Sequence, residues 1–209
     1  MRKKSRYLAL GLAGLGVAAG CWFSYAQFFT KGLDHLPEKL CDEGVRREAA
    51  IRILPDARTA ESGSERRGTG DGFMFSCHVY ADDDSILSGE VKIQDSNRQT
   101  WDEYYESYGG KSPQSPERTA SGDVRALARN NYASVYVPCV PSGSDAGDAS
   151  QTYSLISEVR VIGESRTTGL ELHQALTDFA YELTRRAYVL GECQDGQKFP
   201  ERLPRFHVG

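Results

Sequence analysis

The chain begins with a stretch that no small water-soluble core can absorb. Tyr7 to Phe29 carries no charged side chain and follows Arg2, Lys3, Lys4 and Arg6. A helix needs about 20 apolar residues to cross the hydrocarbon layer, so this run predicts one N-terminal transmembrane helix. Lys and Arg stay preferentially on the cytoplasmic side. Residues 1–6 then form a cytoplasmic basic stub, residues 7–29 a transmembrane anchor or signal segment, and residues 30–209 an extracellular domain. The expected location is the cell membrane, crossed once, with the bilayer as a partner through residues 7–29.

Three fates of the run stay open. Retention as an anchor suits its length and the aromatics Trp22, Phe23, Tyr25, Phe28 and Phe29, which favour the membrane interface. Cleavage after Ser24-Tyr25-Ala26 satisfies the small-residue rule for signal peptides and releases a secreted domain. Val17-Ala18-Ala19-Gly20-Cys21 is similar to a bacterial lipobox, which makes Cys21 a candidate lipidation site. Trp22-Phe23 depart from that pattern, because a lipidated Cys is ordinarily followed by polar residues. Gly16 and Gly20 also stand at GxxxG spacing, but with Gly11 and Gly14 close by that spacing carries no weight alone.

Four of the 25 Lys and Arg lie in the first six residues, leaving 21 against 29 Asp and Glu, a formal charge of −8 for the rest. Phosphate backbones require a basic footprint, so nucleic acid is excluded as an expected partner. Once Cys21 is set aside, Cys41, Cys77, Cys139 and Cys193 remain. An even set in an exported domain reads as two disulfides. Four Cys permit three pairings, and sequence does not choose among them; Cys41 with Cys77 and Cys139 with Cys193 is the set we expect, because each pair then joins a helix to a strand. The spacing offers no zinc signature.

Along the domain, Cys41, Val45, Ala49 and Ile53 recur every four residues and predict a helix over 37–54, ended by Pro55. Residues 60–72 read as a loop. Phe73, Phe75, Cys77 and Val79 alternate with polar neighbours, Asp82-Asp83-Asp84 supplies turn chemistry, and 86–93 alternates again, which predicts a β-hairpin. A short helix carries Trp101, Tyr104, Tyr105 and Tyr108, and a long loop follows through Gly122. Residues 132–139 and 153–162 read as strands. Thr168 and Glu171 predict a capping box at the head of a helix whose apolar stripe is Leu172, Leu176, Phe179, Leu183, Ala187 and Leu190. Gly191 stops it, and 199–209 reads as a tail. The fold class is α+β, an antiparallel sheet covered by helices.

Trp101, Tyr104, Tyr105 and Tyr108 form the candidate binding surface, since flat rings with polar edges stack on sugar faces. At helical spacing such a stripe is more often core. Asp82-Asp83-Asp84 lacks the EF-hand pattern that a calcium loop requires and reads as a solvated turn. His35, His78, His173 and His207 are scattered, with no convergent partners for a metal or a general base. Gly68-Thr69-Gly70-Asp71-Gly72 precedes a strand, whereas a dinucleotide loop follows one. Gly110-Lys111-Ser112 has Tyr105 where a phosphate loop needs its first Gly. No GxSxG, HExxH or SxxK pattern occurs. The residues therefore nominate no catalytic group, cofactor or metal.

Leu40-Cys41, Phe75-Ser76-Cys77, Val137-Pro138-Cys139 and Glu192-Cys193, with the basic Gly/Ala-rich leader, resemble small exported or membrane-anchored cell-envelope proteins of actinobacteria. The resemblance implies an envelope protein of PsbP-like or related α+β type and brings no catalytic residues. The expected role is a non-enzymatic binding or interaction module at the outer membrane face, engaging an envelope protein or glycan. The alternative is a hydrolase or metal-dependent enzyme whose site forms only in the fold.

Overall fold

The computed structural model describes residues 31–82, 84–107, 115–142, 152–194 and 196–207, together with Val17, Gly20, Cys21, Trp22 and Tyr25 of the leader. The remainder of the 7–29 run lies outside the described residues. Among those described, no helix is long and apolar enough to cross a membrane.

The architecture is α+β. A two-residue hairpin, β1 (Lys39–Leu40) and β2 (Val45–Arg46), leads into α1 (Arg47–Ile51). A meander follows, made of β3 (Ala60–Arg67), β4 (Met74–Ala81) and β5 (Ser85–Asp95), and then α2 (Arg98–Ser107). A second meander comprises β6 (Glu117–Ser121), β7 (Val124–Arg129) and β8 (Tyr132–Pro138). The last strand, β9 (Tyr153–Ile162), is inserted between the two, and α3 (Gly169–Leu190) closes the domain. The resulting sheet has the order β3-β4-β5-β9-β8-β7-β6, with every neighbouring pair antiparallel.

Side chains alternate across a strand, so the sheet has two unlike faces. One carries Phe75, Cys77, Val79, Leu87, Val91, Leu155, Val159, Val135 and Val137, all buried. The apolar stripe of α3, from Leu172 to Ala187, lies upon it. The helix comes closest at Gly89, where an added Cβ would stand 2.6 Å from the Leu183 side chain and 3.3 Å from Val159. Ser157 is buried on this face as well, and its hydroxyl is met by the Thr184 hydroxyl at 2.9 Å, which satisfies a polar pair inside the core.

Two disulfides brace this side. Cys41, in the loop of the first hairpin, is bonded to Cys77 in the middle of β4, and Cys139, just past β8, to Cys193, just past α3. Cα separations are 5.4 Å and 5.0 Å, within the usual range for a bridge. Cys21 is free and exposed. Three ion pairs climb successive turns of α3 from the hairpin side, Arg52–Asp178 at 2.9 Å, Arg46–Glu182 at 2.5 Å and Arg186–Asp42 at 2.6 Å.

Several expectations are corrected. The helix over 37–54 is confined to α1. Cys41, Asp42 and Glu43 have φ of 54°, 56° and 61°, a left-handed turn that no helix tolerates. Gly44 completes it, and a Cβ there would lie 2.4 Å from Arg186. The four-residue recurrence reports burial correctly, since Cys41, Val45, Ala49 and Ile53 are all buried, but a hairpin followed by one helical turn presents them. The loop over 60–72 contains β3, and the loop before Gly122 contains β6, with β7 beginning directly after it. Thr168 is the N-cap of α3 without a side-chain cap hydrogen bond, so the capping box does not form. Gly191 is the C-cap, its N–H donating to Ala187. The tail is packed: Leu203 and Phe206 are buried, Tyr181 donates to the Pro200 carbonyl at 2.5 Å, and Gln174 accepts from the Phe206 N–H at 3.0 Å.

Candidate functional site

The second face of the sheet is covered over only part of its width. Asn97 starts α2, its side-chain oxygen accepting the Thr100 N–H at 2.9 Å, the N-cap arrangement that Asn favours. From there α2 lies over β7, β8 and β9. Trp101 and Tyr105 point into the sheet, each 2% exposed, and form a second small core with Leu127, Tyr132, Tyr136 and Ile156. Ring centroids lie 5.7 Å apart for Trp101 and Tyr136 and 5.8 Å for Trp101 and Tyr105, the spacing at which tilted rings attract. Trp101 Nε1 donates to Ser134 Oγ at 2.9 Å, and the Tyr132 hydroxyl donates to the Tyr105 carbonyl at 3.2 Å.

Of the four aromatics nominated from sequence, Trp101 and Tyr105 are therefore structural, and Tyr108 lies outside the described residues. Tyr104 is the one that faces solvent, 53% exposed, with its ring edge-on to Tyr105 at 4.8 Å.

Tyr104 stands over a cleft of about 370 Å³ at the edge of α2, lined also by Glu90, Lys92, Gln94, Asp95, Thr100 and Glu158. Strand register assembles it. Glu90 on β5 lies directly opposite Glu158 on β9, Ser76 on β4 directly opposite Glu90, and Ser134 on β8 directly opposite Glu158. Two carboxylates are thus neighbours across one strand pair, at Cβ separations that run to about 4.5–5.5 Å for such positions. Each is answered by a cation two residues along its own strand, Lys92 to Glu90 at 2.5 Å and Arg160 to Glu158 at 3.4 Å. Glu158 also accepts a hydrogen bond from the Tyr105 hydroxyl. Burial, reinforced by that bond to a carboxylate, pushes the Tyr105 phenol far above its ordinary pKa, so it serves as a fixed donor and not as an acid.

Beyond α2 the face lies open. Met74, Ser76 and His78 of β4, and Ile86, Ser88 and Glu90 of β5, are partly exposed. Tyr80 is 47% exposed and Ile162 46%. Ring, apolar and hydrogen-bonding groups are interleaved there without a covering element among the described residues. Glu90 and Glu158 escaped the sequence reading because β5 and β9 are far apart in the chain, and their registration follows from which strand β9 joins. Alternation alone showed only that both face away from the main core.

The other nominated groups do not converge. His35 and His207 are exposed, His78 is on the open face, and His173 is on α3. Asp82 holds the start of β3, its carboxylate accepting the N–H groups of Arg58 and Thr59 at 2.5 Å and 2.8 Å; Asp83 lies outside the described residues. Among the described residues no group of three His, Cys, Asp or Glu side chains is placed to hold a metal ion. A larger groove of about 640 Å³ runs beside α3, but Arg46, Glu182 and Arg186 in its wall already answer one another or Asp42. No protein-family model matches the chain, and no curated protein or solved structure is similar to it.

Proposed function

We propose that the protein is a non-enzymatic binding module of the cell envelope, held at the outer face of the membrane by residues 7–29. The observation that carries this reading is the half-covered second face of the sheet. A helix seals one part of it and sets the exposed Tyr104 at a polar cleft, and the rest leaves Tyr80, Ile86 and Ile162 uncovered further along the strands. Aromatic and aliphatic side chains left uncovered beside directional hydrogen-bonding groups are what a recognition surface requires. The paired cysteines fit an extracellular or secreted domain, because such bridges persist in oxidising compartments. The basic leader and the resemblance to actinobacterial envelope proteins support the anchor.

Retention of the purified protein on isolated cell-wall glycan, compared between wild type and Tyr104→Ala, tests the reading. Tyr104 is exposed, so the variant keeps its fold while losing the ring. Retention that falls at least tenfold supports recognition through this face, whereas equal retention of the two proteins, or none by either, removes glycan as the ligand.

The enzyme reading rests on Glu90 and Glu158 standing side by side. Paired carboxylates perform acid and base work when their environments push them apart. Here each carboxylate is matched by its own cation, which favours a fixed, charge-balanced binding wall.

A further inference from the structure

The two edges of the sheet are not alike. β6 spans only Glu117–Ser121, and the tail lies against it, with the Thr119 hydroxyl donating to the Pro204 carbonyl at 3.0 Å. β3 is longer, Ala60–Arg67, and is exposed over most of its length. No backbone hydrogen bond joins its outer side to another described element. An uncovered edge of this length is a template for another strand.

Which groups it offers follows from two hydrogen bonds. Thr59 accepts from the Asp82 N–H at 3.2 Å, and on the far side of β4 Phe73 accepts from the Ile93 N–H at 3.2 Å. Both set the same alternation: odd-numbered residues of β3 turn their backbone groups toward β4, and Ala60, Ser62, Ser64 and Arg66 turn theirs outward. An antiparallel ladder needs outward groups opposite outward groups. Even-numbered residues of β3 must therefore face even-numbered residues if a second copy pairs with it.

Charge then selects among the registers that remain. With Ser64 opposite Ser64 of the second copy, Glu61 stands opposite Arg67 on both sides of the axis, and Gly63 opposite Glu65. A shift by one ladder step one way puts Glu61 opposite Glu65, and a step the other way puts Glu65 opposite Glu65. Opposite charges facing across a strand pair stabilise it, and like charges do the reverse. The Ser64-centred register pairs residues 61–67 of each copy and is free of facing like charges.

We propose that β3 pairs with β3 of a second copy about a two-fold axis at Ser64, joining the two sheets into one continuous antiparallel sheet. The axis is perpendicular to the sheet, so both α3 layers lie on one side and both open faces on the other. The short turn at Gly32–His35 packs on β3, and Gly32 donates to Ala57 at 2.7 Å. A two-fold axis perpendicular to the sheet also puts the two Gly32–His35 turns on the same side of the assembly. The pairing is isologous and self-complementary, as a closed dimer demands.

Sedimentation of the full-length protein in detergent micelles over a dilution series tests this. The wild type is expected to sediment as a dimer at micromolar concentration. Ser64→Pro removes the outward N–H at the axis, a change that an edge strand accommodates, and is expected to give a monomer with an unchanged melting temperature. Glu61→Arg places like charges opposite each other twice and should raise the dimer dissociation constant roughly tenfold. Glu61→Arg with Arg67→Glu should return it toward the wild-type value. If Ser64→Pro fails to fold, the charge-reversal pair decides. A monomeric wild type overturns the proposal, and so does a dimer indifferent to all three changes, which would be held through the leader instead.

Discussion

His173 shows how far one side chain's position governs behaviour in acid. It is half-buried on α3, and its Nδ1 has no hydrogen-bond partner among the described residues. Burial lowers its pKa below the ordinary value, against smaller opposing effects from Glu117 and the Asn130 backbone. Above the ordinary histidine value of about 6.5, folded and unfolded chains are both neutral there, and nothing is lost. As pH falls through that value the unfolded chain takes up a proton that the folded chain resists, so stability declines. The melting temperature should therefore drop more between about pH 7 and pH 5 in the wild type than in His173→Gln; parallel curves would show that His173 does not titrate with folding. Asp82 acts in a lower window. Hydrogen bonds, first from the Thr59 hydroxyl and then from the Thr59 N–H, depress its carboxyl. Its contribution is complete above the ordinary carboxylate pKa and is lost only as pH falls through its lowered value. The Asp triplet announced a turn in the sequence, but Asp82 reaches back to Arg58 and Thr59, a partnership that β3 creates and that no local pattern reveals.

At the scale of elements, α2 shows how an aromatic stripe divides its labour. Trp101→Ala should cost about 3–5 kcal/mol in urea unfolding, because the ring fills the second core and its indole N–H satisfies the buried Ser134. Tyr104→Ala should change stability by no more than about 0.5 kcal/mol. Equal losses for both would mean that α2 does not sit on the sheet as described. What the sequence made legible follows from the same logic. α3, β4, β5 and the C-terminal half of β9 each bury one face against a core and wear the period of their geometry, while β8, buried on both faces, declares itself by its run of Val and Tyr. β3 reads Ala-Glu-Ser-Gly-Ser-Glu-Arg-Arg and buries almost nothing, so its strand character comes entirely from pairing with β4. β7 is missed for another reason: Ala126 and Ala128 face α3 while Leu127 faces α2, so no alternation survives, and unlike β8 its Ala- and Arg-rich sequence has little strand propensity to replace it. The hairpin at Cys41 hid behind a helical recurrence because burial, the only thing the recurrence measured, was right.

The whole molecule consists of two meanders that the last strand locks together. Until β9 arrives from the far end of the chain, neither half has the neighbour that completes it, so long-range pairing dominates folding. One bridge ties each half to an element of the α3 side. Sequence separations of 36 and 54 residues place each bridge at about 4 kcal/mol in the chain-entropy account. Replacing Cys139 and Cys193 together by Ala should lower the unfolding free energy by about 2–5 kcal/mol, read by urea titration of the otherwise oxidised protein; a midpoint that does not move would show that the bridge merely decorates an already closed structure. Two disulfides were legible from the even count and the exported context, while the cleft between Glu90 and Tyr104 was not, because it exists only where β5, β9 and α2 meet. The two coverings of the sheet also differ in how they are fastened. The long helix is secured by one covalent cross-link just past its end and a ladder of charges, whereas the short one rests on packing and a few polar contacts alone. Selection is therefore free to reshape the lightly held lid, and with it the chemistry of the surface it borders, while the riveted underside keeps the chassis in one piece.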